Sequence, residues 1–178
     1  ELVGRIGINL AAPTLMAHGT EDQKLRWLPH ILDASVIFCQ LFSEPDAGSD
    51  LTSLRTSAAR VEGGWRLNGQ KVWTSYAQFA DWGICLARSN PDAPKRKGIT
   101  FFVVDMHAPG VEVRALRQMT GGTSFNEVFF TDVRVPDDHR LGDVNMGWSV
   151  ALTTLMNERA SIGGGGGGGG TGMVSFVR

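Results

Sequence analysis

The hydrophobic pattern changes period twice along the chain. At the start, Leu2, Val3, Ile6, Leu10 and Ala11 recur near helical spacing and mark one apolar face. Gly19 closes this stretch. Thr20 then stands where a helix cap belongs, and Gln23 completes a capping box. Leu25, Trp27, Leu28, Ile31 and Leu32 supply the expected buried side of a second helix.

From Val36 the helical period is lost. Residues 36–42 form a short strand-like run stopped by Glu44-Pro45. Residues 60–67 read as two strand pieces around Gly63-Gly64. Asn68-Gly69 follows directly and predicts a tight hairpin, because both residues tolerate positive φ. Further strands are predicted over 82–87, 99–105, 111–116 and 125–135. Short strands separated by Gly, Pro, Asn and Asp, with no helices between them, predict an antiparallel barrel or sandwich over 36–136. The helical period returns at Gly147 with Val150, Ala151, Leu152, Leu155 and Met156, ending in Asn157-Glu158-Arg159. Eight glycines occupy 163–170. Each disfavours helix by about 1 kcal/mol against alanine, so the run reads as a flexible linker. A phosphate-cradling loop would need a preceding strand and a following Lys-Ser/Thr, and neither is present.

Composition narrows the class. The 178 residues are 42% apolar and 20% charged, which excludes a disordered chain. Lys plus Arg is 17 against 18 for Asp plus Glu, so there is no bulk attraction for nucleic acid or anionic lipid. Cys39 and Cys85 lie far apart within apolar runs, which predicts buried reduced thiols. With no signal-peptide pattern and no apolar run near the roughly 20 residues of a membrane span, a cytoplasmic location is expected. The chain opens on Glu1 and stops at Arg178 with apolar patterning still running, as expected of a piece of a longer protein.

No hydrolase constellation is present: no Gly-x-Ser-x-Gly, no His-Glu-x-x-His, no Walker lysine. His18, His30, His107 and His139 are isolated and read as surface or capping residues. Lys95-Arg96-Lys97 reads as a solvated loop. Three segments remain as candidates. Ser43-Glu44-Pro45-Asp46-Ala47-Gly48-Ser49-Asp50 follows a strand and offers exposed amides and hydroxyls to a phosphate or a polar ring edge, or is a capped surface turn. Lys71-Val72-Trp73-Thr74-Ser75-Tyr76 sets a large aromatic beside two hydroxyls, suited to a flat heteroaromatic ring or to a core tryptophan. Glu158-Arg159 is a solvated helix face or a catalytic pair.

In order, these segments resemble the acyl-CoA dehydrogenase family of flavoenzymes. The resemblance also runs through Leu67-Asn68-Gly69-Gln70-Lys71-Val72-Trp73, Ala80-Asp81 and Lys97-Gly98-Ile99-Thr100-Phe101-Phe102-Val103. It continues in Phe130-Thr131-Asp132-Val133-Arg134-Val135-Pro136, Leu141-Gly142 and Gly147. It implies an α+β architecture: the end of an N-terminal helical domain (1–35), an antiparallel β-barrel middle domain binding flavin and acyl-CoA (36–140), and the start of a C-terminal helical bundle (141–178).

The resemblance further implies FAD as cofactor and α,β-dehydrogenation of an acyl-CoA thioester. A carboxylate removes the α-proton, the β-hydrogen leaves as hydride to flavin N5, and electrons pass to an electron-transfer flavoprotein. The 40–49 segment would lie along the flavin, including Gln40 and Gly48. Phe42 and Ser43 would bond the pyrimidine side, and Ser49 would meet both the pyrophosphate and the acyl-CoA chain. Trp73 would pack on the isoalloxazine, with Ser75 near N5 and O4 and Thr74 beside it. Arg159 would lie near CoA. The base is Glu158, or a glutamate beyond Arg178. Ser43 and Ser75 stand where threonine is common, and Thr74 and Tyr76 where Ile and Asn are frequent. The family also implies a homo-oligomer, a dimer or a tetramer, and an isolated segment that is inactive. Same-fold alternatives are an acyl-CoA oxidase or a flavin-dependent monooxygenase. From another class comes a non-catalytic β-barrel binding module.

Overall fold

A π-helical turn (Gly7–Ala11) runs directly into helix α1 (Ala12–His18), and the chain reverses at Gly19 into α2 (Glu21–Leu32). The capping box forms as the sequence predicts: the Gln23 amide donates to Thr20 Oγ1 at 3.3 Å, and the Thr20 amide to Gln23 Oε1 at 2.9 Å. The structure, a computed structural model, describes residues 4–164, with side chains as far as Ser161. The expectations for Leu2, Val3 and residues 165–170 of the glycine run lie outside the described residues.

Eight strands follow: β1 (Phe38–Leu41), β2 (Ser57–Val61), β3 (Gly64–Ser75), β4 (Trp82–Arg88), β5 (Ile99–Asp105), β6 (Val111–Leu116), β7 (Phe125–Pro136) and β8 (Arg140–Leu141). Helix α3 (Gly147–Gly164) completes the described chain. The sheet runs β6-β7-β3-β2-β4-β5-β8, with β1 beside β4. Among the described residues no helix is long and apolar enough to cross a membrane.

The barrel expectation needs two corrections. First, the sheet is not wholly antiparallel: β1 runs parallel to β4, with Leu41 opposite Cys85. A parallel pair needs a long crossover, and the β2–β3 hairpin supplies it. Second, the sheet does not close. Closure would require its end strands to pair, yet β8 offers two residues and α3 packs beside it on β5.

Strands β4 and β5 are buried on both faces, which is why their sequences read as continuous apolar runs. Ile84, Leu86, Phe101 and Val103 meet Leu10, Leu15, Trp27 and Ile31 of the helices. Cys85, Phe102 and Val104 meet Trp65, Leu67, Val128 and Val133, where the sheet curls over on itself. Cys39 and Cys85 are buried free thiols, and burial pushes the Cys85 thiol up to about 12.

Asn68-Gly69 is not a hairpin turn. The turn is Glu62-Gly63, and Asn68-Gly69 lies inside β3 at a register shift against β7. A Cβ at Gly69 would stand 2.5 Å from Thr56 Oγ1, so the glycine serves a close approach within the sheet. The helical faces also need adjustment. Gln23, Trp27 and Ile31 form the buried stripe of α2, leaving Leu25 and Leu32 exposed. Helix α3 continues past Arg159 and takes in the first two glycines of the run. It buries Val150, Ala151 and Thr154, while Leu152 and Met156 stay exposed.

Candidate active site

A cavity of about 340 Å³ opens where the end of β1, the far end of β3, the start of β7 and helix α3 converge. β1 and the loop after it deliver Gln40, Phe42, Ser43 and Gly48. β3 delivers Val72, Trp73 and Ser75, and Phe125 comes from the register partner of Ser75 on β7. Leu51, Leu155 and Glu158 complete the lining. Among the described residues Glu158 is the one ionisable side chain in it.

Local rules explain these placements. Trp73 has φ of +60°, in a stretch where β3 shifts register against β7. That break in strand alternation accompanies the 63% exposure of its indole, which meets Phe125 edge-on at 6.3 Å. Glu158 follows Ala151, Thr154 and Leu155 at helical spacing, so it shares the stripe that faces the body of the protein. Thr154 Oγ1 meets Thr14 Oγ1 at 2.8 Å and Thr153 Oγ1 meets His18 Nε2 at 2.7 Å, which docks α3 on α1.

Behind the cavity lies a buried ion pair. Lys71 Nζ donates to Glu44 Oε1 at 2.8 Å, to the Leu86 carbonyl at 2.7 Å and to the Phe42 carbonyl at 3.2 Å. All three ammonium donors are thereby used. Glu44 also accepts from the amides of Arg55 at 2.6 Å and Thr56 at 3.0 Å. Burial alone would raise the Glu44 carboxyl. The Lys71 charge and these hydrogen bonds outweigh it and hold the group below the ordinary carboxylate range. The Val72 amide donates to the Ser43 carbonyl at 2.9 Å, so the two walls of the cavity are stitched together directly as well.

Of the residues singled out in the sequence, Gln40, Phe42, Ser43, Gly48, Trp73, Ser75 and Glu158 line this one cavity. Ser49 and Arg159 are exposed beside it in sequence. Thr74 is turned into the sheet interior, and its hydroxyl has no hydrogen-bond partner among the described residues. Sequence reasoning missed Leu51, Phe125 and Leu155 of the apolar wall, although the spacing of Leu155 and Glu158 on one helix stripe signals part of it. It also missed the Lys71–Glu44 pair. Lys95 is not merely solvated: its Nζ donates to Asp50 Oδ2 at 2.6 Å and pins the end of the 43–50 loop.

A larger hollow of about 750 Å³ lies between α2 and the Asp137–Asp143 segment. Charge dominates its lining. Arg26 pairs with Asp138 at 2.8 Å and Arg140 with Asp137 at 3.3 Å. Unlike this hollow, the smaller cavity combines an exposed aromatic ring, hydroxyls and a carboxylate.

The family described as acyl-CoA dehydrogenase, middle domain, matches residues 39–133. "Acyl-CoA dehydrogenase FadE34" of Mycobacterium tuberculosis is 59% identical over 152 residues, covering 85% of this chain and 21% of the relative. "Acyl-CoA dehydrogenase IpdE1" of the same organism is 44% identical over 157 residues, covering 88% of this chain and 41% of the relative. The solved Tcur3481-Tcur3483 steroid ACAD superposes with a TM-score of 0.84 at 36% identity, over 88% of this chain and 40% of its own. The chain thus spans between a fifth and two-fifths of the proteins it resembles.

Proposed function

The chain belongs to the acyl-CoA dehydrogenase family, and from that premise we propose that the complete protein oxidises an acyl-CoA thioester across its α,β bond with FAD. The observation that carries this reading is the meeting of Trp73, the Ser43 and Ser75 side chains and the Glu158 carboxylate at one cavity.

The residues present fit a flavin ring. The cavity falls within the range of about 300 to 1,000 Å³ found for small-molecule clefts. Its exposed indole provides a stacking face, and two half-buried serines provide hydroxyls. Bound there, the flavin supplies the two-electron acceptor for the β-hydride. Trp73 holds the ring by stacking, and the Ser43 and Ser75 hydroxyls donate to its polar edge, where they stabilise negative charge. The Phe42 carbonyl already accepts from Lys71, and the Phe42 N–H is the backbone donor offered to the ring. Thr74, turned inward, supports the strand from behind. A Cβ at Gly48 would meet nothing within 4 Å, which leaves its backbone open to close approach. Ser49 serves the pyrophosphate and the acyl chain, and Arg159 serves the CoA phosphates. Glu158 takes the α-proton.

Electrons then leave through an electron-transfer flavoprotein, and the complete protein is a dimer or tetramer. Exposed Leu152 and Met156 on α3 leave an apolar face for further helices to cover.

Anaerobic titration of the complete protein with a panel of acyl-CoAs tests the reading. The panel includes straight, branched, aromatic and steroid-derived thioesters, the last because the Tcur3481-Tcur3483 relative is a steroid ACAD. Bleaching of the flavin band by one class is expected. Bound flavin that no acyl-CoA reduces would replace the reading with a monooxygenase-like one, and absence of flavin with a binding module.

A further inference from the structure

The Gln40 side chain, which lines the cavity, also reaches the helix opposite. Its Nε2 donates to Glu158 Oε2 at 3.1 Å, joining β1 to α3 across the wall of the cavity. Among the described residues no other side chain hydrogen-bonds this carboxylate. The two ends of the contact differ in rigidity. Gln40 is paired with Ile84 in the sheet and flanked by buried Cys39 and Leu41, so its backbone is fixed. The α3 backbone is fixed too, by the contacts of Thr153 and Thr154 with α1. A glutamate nevertheless has three rotatable bonds between its Cα and its carboxylate, and docking the helix does not orient the oxygens. The amide of Gln40 is a neutral donor that cannot itself take a proton near neutral pH.

We propose that Gln40 is the positioning residue of Glu158: it holds one carboxylate oxygen from β1, so that the group stands in a single orientation when the α-proton is transferred. This rests on the reading of Glu158 as the base. Proton transfer requires the base within hydrogen-bond reach, and a carboxylate free to rotate spends much of its time outside that reach.

The test uses the complete, flavin-loaded protein with Gln40→Leu, Gln40→Glu and Glu158→Gln. Gln40→Leu is expected to lower kcat by about 10- to 100-fold, the scale of a misplaced catalytic group. KM, flavin content and calorimetric acyl-CoA affinity should stay at wild-type values. The isotope effect from an α-deuterated substrate should rise, because proton removal has become the slower step. In Gln40→Glu two carboxyls share one site, so the acid limb of kcat/KM should move to higher pH. If Glu158→Gln is inactive while Gln40→Leu keeps its kcat and isotope effect, the positioning role is wrong and the base reading stands. Loss of flavin or acyl-CoA binding in Gln40→Leu would make Gln40 a ligand-holding residue and overturn the proposal. Full activity in Glu158→Gln would remove both. Should Gln40→Leu fail to fold, an unmoved acid limb in Gln40→Glu overturns the role by itself.

Discussion

His139 sits edge-on to two tryptophans, its ring centroid 5.2 Å from Trp27 and 5.5 Å from Trp82. Burial there disfavours the imidazolium. Asp138 opposes that shift and Arg26 adds to it, and the net result is a group below its ordinary 6.5. The unfolded chain therefore takes up a proton near pH 6.5 that the native state resists. Stability from this site is full above that pH and falls as pH drops through the native value. Replacing His139 with Phe keeps a ring but removes the titration. Thermal unfolding of His139→Phe should show a flatter dependence between about pH 7 and pH 5, and an unchanged slope would put the titrating group elsewhere. Sequence reasoning read His139 as a surface or capping residue, because its two ring partners lie far away along the chain. Cys39 and Cys85 were legible as buried thiols because each carries its environment in its own neighbours. A titratable side chain whose neighbours come from three separate elements carries no such local sign.

Among the elements, β3 bears the heaviest duty. It carries Lys71 inward and Trp73 outward within three positions, which only the irregularity before Thr74 permits. Lys71→Met leaves the Glu44 carboxylate buried without its cation, and the expected loss is about 3 to 5 kcal/mol in denaturant unfolding. Acid sensitivity should change with it. In the native protein the Glu44 contribution is present above its ordinary 4.5 and is lost as pH falls through the depressed native value; Lys71→Met removes that dependence. The strands were largely readable, since alternation and the two-sided burial of β4 and β5 leave plain marks in sequence. Asn68-Gly69 was misread for a definite reason. Tolerance of unusual φ serves a hairpin turn and a mid-strand irregularity equally, and the choice was made by Thr56 and Phe130, which meet Gly69 only in the folded sheet. The extension of α3 into the glycine run was hidden similarly, because propensity speaks against it and packing on α1 and β5 speaks for it.

At the scale of the molecule, an order of motifs was enough to bring seven site residues to one cavity, but not to show how the sheet ends. Closure depends on whether two distant strands meet, and the two-residue β8 is too short to announce itself. The apolar lining escaped for a related reason: Leu51, Phe125 and Leu155 belong to separate segments whose convergence is a tertiary event. That convergence has a mechanical side. Helix α3 is anchored at its first turn. Met146 bridges Ile99, the Asn145 amide donates to Thr100 Oγ1 at 2.9 Å, and a Cβ on Gly147 would stand 2.5 Å from the Phe101 amide nitrogen. Glu158 lies three turns further on, beyond a second anchor where Thr153 and Thr154 meet α1, so its placement depends on the helix entering at the angle that both anchors share. At about 1.5 Å per residue the distance is roughly 16 Å, and an entry angle changed by about 5° would displace Glu158 by about 1.4 Å if the second anchor yielded. On the proposed reading of Glu158 as base, ~1 Å of misplacement costs on the order of 100-fold in rate. If the proposed function holds, Gly147→Ala should fold and bind flavin yet lose turnover out of proportion to any loss of stability, as parallel melting and single-turnover measurements on the complete protein would show. A missing methyl group where the helix begins thus bears on a carboxylate three turns away.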